Sequence, residues 1–193
     1  KISRRFGVAL FGPSKALERK NYPPGIHGPK SRRKNSDYAT GLAEKQKLRF
    51  QYGLMEKQFR LTFERAKKKR GVTGETLLKL LETRIDNVVF RAGFATSRRG
   101  ARQFVVHGHI KVNGVVVKSP SYTVKAGDTV EVKDIPRSRQ LAQKNLDSNT
   151  MAGSPEWITV EREKFKAVVN REPSREDIQV NVNEQLVVEF YSR

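Results

Sequence analysis

Cysteine is absent from the 193-residue chain, which excludes disulfides and thiolate metal sites. Histidine is scarce: only His27, His107 and His109 occur. The pair His107-Gly108-His109 has no carboxylate or thiolate at ligand spacing, so no metal is expected there. No apolar run approaches the roughly 18 residues of a bilayer span. No amphipathic stretch carries the bulky interfacial aromatics of a membrane-surface helix. A secretory h-region is missing at the start, and a cytoplasmic location is expected. Ser14-Lys15 follows Gly12-Pro13 without phosphate-loop spacing. Glu161 and Glu163 lack any pocket signal and are expected on a solvated face. The sequence thus offers no cofactor site, membrane contact or small-molecule substrate.

Acidic residues are the other deficit. There are 20 Asp and Glu against 39 Lys and Arg, for a net charge of +19. Self-repulsion of that size points to a polyanionic partner. Its distribution is uneven. Residues 1–34 carry ten bases and one acid, and residues 35–72 ten and four. Residues 73–134 carry ten and six, whereas 135–193 carry nine of each. A field concentrated in the first 72 residues implies one face or arm that meets phosphates.

Residues 1–36 form a basic extended arm, punctuated by Pro23-Pro24-Gly25 and Gly28-Pro29, which is either a disordered, solvated tail or a segment that orders against nucleic acid. From Asp37 the spacing turns helical, with Tyr38, Leu42, Gln46 and Phe50 on one side and Lys45, Lys47 and Arg49 on other faces. Gly53 interrupts. A second helix presents Leu54, Met55, Gln58, Phe59, Leu61, Thr62 and Phe63 as a broad inner surface. It ends in Lys67-Lys68-Lys69-Arg70, cations that suit a helix C-terminus. Thr73 is placed to cap the next helix. Its Leu77, Leu78, Leu81, Ile85, Val88, Val89 and Ala92 recur at three and four as far as Gly93.

Ser97 offers an N-cap for a helix from Arg98 to His107, with Ala101, Phe104 and Val105 as its stripe and Gly108 as its stop. Ile110–Val112, the Asn113-Gly114 turn and Val115–Val117 then predict a hairpin. "SYTVKAGDTVEV" supplies two more short strands. Residues 137–150 are a polar helix or linker. Another hairpin follows, with Trp157, Ile158, Val160, Phe165 and Val168 as its apolar members. The tail is strand or helix, docked through Leu186-Val187-Val188. The class is α+β.

Arg98, Arg99 and Arg102 crowd the first turn of their helix. That end presents unpaired N–H groups and partial positive charge, and guanidinium forks add bidentate phosphate recognition. Cations spread over an arm, several helices and a hairpin suit the shape-and-phosphate readout of RNA better than a DNA groove.

Here the residues resemble a known family. "RIDNVVFRAGFATSRRGARQFVVHGHIKVNGVVVKSPSYTVKAGDTVEV" is similar to the RNA-binding module named after ribosomal protein S-four. "SDYATGLAEKQKLRFQYGLMEKQF", "GVTGETLLKLLETRIDNVVFRAGF" and "VNEQLVVEFYSR" resemble the bacterial-type small-subunit ribosomal protein four family, from near Lys1 to Arg193. The resemblance implies a helical N-terminal domain (37–83 with 151–193) completed by the returning C-terminal segment. The module and linker (84–150) are inserted in it, and the arm (1–36) precedes it. It also implies binding to a multi-helix junction of 16S rRNA in the 5′ domain and nucleation of the subunit body. Contacts are implied with ribosomal protein five and other small-subunit proteins, near the messenger RNA entry channel, with an influence on accuracy. Such a protein sits in a cytoplasmic or organellar small subunit. Many members hold zinc through N-terminal cysteines; this chain has none, so its arm is expected to be ordered by RNA.

The candidate RNA contacts are Arg4, Arg5, Arg32, Arg33, Lys34, Lys45, Lys47, Arg49, Arg60, Arg84, Arg98, Arg99, Arg102, His107, Lys111 and Asn113. A rival enzyme reading rests on Arg84-Ile85-Asp86, which resembles the Arg-Leu-Asp motif of pseudouridine synthases. The chain leaves little room for a separate catalytic domain, and a helix-surface partnership with Arg is the expected role of Asp86.

Overall fold

The computed structural model describes residues 1–29, 36–148 and 154–192. The helices are α1 (Ile2–Phe6), α2 (Lys15–Arg19), α3 (Asp37–Gln51), α4 (Glu56–Lys68), α5 (Thr73–Glu82), α6 (Ile85–Arg91), α7 (Arg98–Val106), α8 (Pro136–Ser148) and α9 (Glu184–Ser192). The strands are β1 (Ile110–Val112), β2 (Val115–Val116), β3 (Thr129–Val132), β4 (Ile158–Glu161) and β5 (Lys166–Val169). The chain divides into one unit of residues 1–64 with 180–193 and another of residues 65–179.

In the first unit α3 begins where the Ser36 hydroxyl accepts from the Ala39 N–H at 3.2 Å, which satisfies one of the free amides of the first turn. Gly41, Lys45 and Leu48 form its buried stripe. The C-terminal segment returns as a helix, α9, and packs on α3. A Cβ on Gly41 would sit 3.4 Å from both the Leu186 carbonyl oxygen and Phe190 Cβ, so glycine lets the two backbones approach. Tyr38 faces Phe190 at 5.3 Å between ring centroids, and Phe63 stacks on Tyr191 at 4.7 Å. The inner surface of α4 is narrower than its spacing suggests. Phe59 and Phe63 are buried, but Leu61 is 44% exposed, as is Met55 just before the helix at 73%.

The second unit is built on an antiparallel sheet in the order β2-β1-β3-β5-β4. Asn113 and Gly114, with φ of 49° and 82°, make the tight β1–β2 turn whose handedness suits the strand twist. The second predicted hairpin forms as β4–β5, but it does not belong with the helical unit: Val130 of β3 lies opposite Ala167 of β5. Residues 65–179 therefore group together, because an edge strand of the small sheet gains a partner by taking them in. Residues 121–125 contribute a single bridge, Arg84 to Thr123, in place of the expected strand.

The long helix expected from Thr73 to Ala92 is two helices. Thr83 accepts from the Val124 N–H at 2.9 Å, and the Ile85 N–H donates to Tyr122 at 2.8 Å. The backbone at 83–84 pairs with 122–124 and cannot also stay helical, although the apolar spacing continues through the break. The residue preceding α5 is Val72, with Thr73 already inside the helix. Residues 137–150, read as helix or linker, are helical through Ser148. Ile85, Val89, Phe94, Val105, Ile110, Val130 and Trp157 belong to one continuous core.

Candidate RNA interface

Helix α7 is the best-defined cationic element. The Ser97 hydroxyl accepts from the Gly100 N–H at 3.1 Å, fixing the start of the helix. Ala101, Phe104 and Val105 are buried beneath it. Arg99, Arg102, Gln103 and His107 are exposed above. No acidic residue occurs anywhere on α7. Arg98 leaves this group. Its Nε donates to Asn87 Oδ1 at 2.8 Å, and its guanidinium lies 4.6 Å from the Phe90 ring centroid. Asn87 is held in turn by a buried carboxylate, donating Nδ2 to Glu82 Oε2 and to the Glu82 carbonyl. Arg91 closes on the same carboxylate at 2.7 Å. Arg98 is thus a clip between α6 and α7.

Several predicted contacts are structural. Arg84 is buried, and its guanidinium grips Asp86 through two bonds, Nε to Oδ1 at 3.0 Å and Nη2 to Oδ2 at 2.7 Å. Nη2 also donates to the Pro120 carbonyl at 3.2 Å. A guanidinium enclosed and spoken for in this way is not presented to RNA. Asp86, expected on a helix surface, is equally enclosed and serves as the ion-pair partner of Arg84.

Lys45 is likewise buried. Its Nζ donates to Glu56 Oε1 at 2.8 Å and sits 5.4 Å from the Phe190 ring centroid. Tyr191 donates its hydroxyl to the same Glu56 oxygen at 2.8 Å. Burial raises the Glu56 pKa, but the Lys45 and Tyr191 hydrogen bonds and the charges of Lys45 and Arg49 together bring it below its ordinary value. For Tyr191, burial and then the Glu56 carboxylate push the phenol well above its ordinary range. Lys47 donates to Glu44 at 2.5 Å, and Arg49 to Gln46 at 2.8 Å. Glu44 also accepts from the Asn183 N–H at 3.1 Å, tying the approach to α9 onto α3.

The remaining positions divide. Arg60 and His107 are exposed. Arg4 donates to the Tyr22 carbonyl at 3.2 Å and lies over its ring at 4.9 Å, so part of the basic arm folds on itself. Arg5 is exposed beside Phe6. Arg32, Arg33 and Lys34 lie outside the described residues. Lys111 stands on the outer face of β1 opposite Glu131, which stands opposite Lys166, which stands opposite Glu161. This alternating row neutralises itself across the sheet. Asn113 uses its amide locally: Oδ1 accepts from the Thr129 N–H and Nδ2 donates to Asp128, both at 2.9 Å.

Two features are not among the candidate contacts. Lys67, Lys68, Lys69 and Arg70 are all exposed. Their fit to a helix terminus hid them as contacts, and their adjacency was the signal available. The second is a groove of 560 Å³ between α7 and α8. His109 lines it, stacked on Phe104 at 4.9 Å with Nδ1 2.8 Å from the Ser138 hydroxyl. Burial, then the charges of His107, Arg137 and Lys133, hold its imidazole below its ordinary pKa. Among the described residues no group of three or more His, Asp or Glu side chains is placed to hold a metal ion. Nor is any helix long and apolar enough to cross a membrane.

Two family models match the chain. Residues 1–82 match the family described as ribosomal protein S4/S9 N-terminal domain, and residues 83–130 match the S4 domain. The boundary between them falls at the α5–α6 break. Small ribosomal subunit protein uS4 of Opitutus terrae is 60% identical over the whole chain and 95% of its own length. The proteins of the same name from Akkermansia muciniphila and Thermus thermophilus are 53% and 50% identical, each over the whole chain and 96% of their own length. The chain belongs to the small ribosomal subunit protein uS4 family, which is non-enzymatic.

Proposed function

We propose that this chain is a structural component of the small ribosomal subunit that binds 16S rRNA at a multi-helix junction of the 5′ domain. It nucleates assembly of the subunit body. It meets ribosomal protein five and other small-subunit proteins, lies near the messenger RNA entry channel and influences translational accuracy. Family membership supports the reading, and one observation carries it: a serine-capped helix without acids presents Arg99 and Arg102 outward. Arg60 and the Lys67–Arg70 run add exposed cations in the same chain.

Equilibrium binding of the full chain to a 5′-domain transcript, across a salt series, tests this. If about 6–10 phosphates are neutralised, log affinity falls with log salt at about 0.7–0.9 per contact. Failure to bind, or a complex indifferent to salt, overturns it.

A further inference from the structure

The α7–α8 groove carries chemistry that the cationic face of α7 does not need. Gly100, Gln103 and Phe104 of α7 and its C-cap residue His107 line it, at the three- and four-residue spacing of one helix face. Arg137, Gln140, Leu141 and Lys144 line it from α8 in the same way. No carboxylate is among the lining residues. Arg137 and Lys144 are exposed, as are the amides of Gln103 and Gln140. Leu141 is 44% exposed, a large apolar side chain on a polar helix. Three kinds of group therefore converge: cations, amides that both donate and accept, and a flat apolar or aromatic wall.

A bare anion would use only the first kind, and a duplex could not enter. The volume falls within the roughly 300–1,000 Å³ of sites that hold one small molecule. Sequence-specific RNA recognition takes unstacked bases, packs them on aromatic side chains and reads their edges by hydrogen bonds. At 3.6 residues per turn, Gln103 lies between the groove and Arg99, so the groove adjoins the cationic face.

We infer that the α7–α8 groove receives a single unpaired nucleotide of the bound RNA, with its phosphate on Arg137 and Lys144 and its base between His107 and Leu141. Gln103 and Gln140 read the base edge. His109, whose Nδ1 is engaged with Ser138, forms the back wall through its stack on Phe104. This inference rests on the rRNA-binding reading above.

The test uses the full chain and the same 5′-domain transcript, with two double variants at exposed positions. Gln140→Ala/Leu141→Ala removes base contacts without changing charge. Arg137→Gln/Lys144→Gln removes the phosphate contacts. Thermal melting confirms that each is folded. For the neutral pair, Kd is expected to rise about tenfold, the equivalent of about 1.4 kcal/mol, with an unchanged salt slope. One nucleotide protected from 2′-hydroxyl acylation in the wild-type complex should become reactive. For the cationic pair the same nucleotide should open and the salt slope should shrink by about 1–2. If both variants match wild type in affinity and protection, the groove assignment is overturned while the rRNA reading stands. If the wild-type chain does not bind, the rRNA reading itself fails. A photo-crosslinker at Gln140 that joins a protein instead of RNA in assembled subunits overturns the nucleotide in favour of an acidic peptide.

Discussion

Helices α3 and α7 start alike and end differently. Each is capped by a serine hydroxyl, Ser36 or Ser97. Each carries three closely spaced cations: Lys45, Lys47 and Arg49 on one, Arg98, Arg99 and Arg102 on the other. On α3 all three are engaged by Glu56, Glu44 and Gln46. On α7 there is no acid, and two of the three arginines are exposed. The number of cations on a helix thus says little about its partner. What separates the two sets is how far folding leaves each cation exposed.

The largest expected effect tests the internal kind of cation. Asp86→Ala strands the buried Arg84 guanidinium and should lower stability by about 3–5 kcal/mol, read by urea unfolding. The affinity of the protein that remains folded should not change. A stability loss under 1 kcal/mol would mean that Arg84 escapes to solvent, and the contrast between buried and presented cations would fail there.

A smaller effect is expected at the surface. Arg99→Gln/Arg102→Gln should weaken rRNA binding about 10–100-fold, with a salt slope shallower by about 2. Stability should stay within about 0.5 kcal/mol. The matching Lys47→Gln/Arg49→Gln change should leave the slope as it is. Equal slope changes for the two pairs would erase the distinction between α3 and α7.

The smallest effect concerns acid. The Glu56 carboxylate is held below its ordinary pKa of 4.5. Its contribution to stability is therefore present above that value and is lost as pH falls through the lower folded-state value. Glu56→Gln should flatten the acid limb of stability against pH below about 4.5 and lower the plateau above it. Tyr191→Phe should reduce the same limb less, because Lys45 still holds the carboxylate. An acid limb identical to wild type in Glu56→Gln would show that the cluster is not tied as described.

Much of the sheet unit was legible. Ser97, Gly108 and Asn113-Gly114 are local signals with local causes, and α7, its stop and the β1–β2 turn fall where they indicate. The α5–α6 break was not legible, because Thr83 and Arg84 leave the helix only to meet Val124 and Thr123, about forty residues on. The same reason accounts for the cations that folding engages internally. Lys45 is matched with Glu56 and, through it, with Tyr191, whose hydroxyl comes from α9 at the far end of the chain. Acid and base that meet only after folding leave no mark in a charge count. Hairpin β4–β5 was visible as a hairpin, but its neighbour β3 was not, since its alternation fits any sheet with a free edge.

Asn113 has a consequence for how mutational scans of this molecule are interpreted. It lies on the surface, adopts a left-handed backbone and laces the turn to Asp128 and Thr129 with both ends of its amide. Aspartate there loses the donor, glycine loses both bonds, and a β-branched residue resists the backbone geometry. Intolerance at so visible a position would be taken for a point of contact with nucleic acid, when the intolerant partner is the protein's own hairpin.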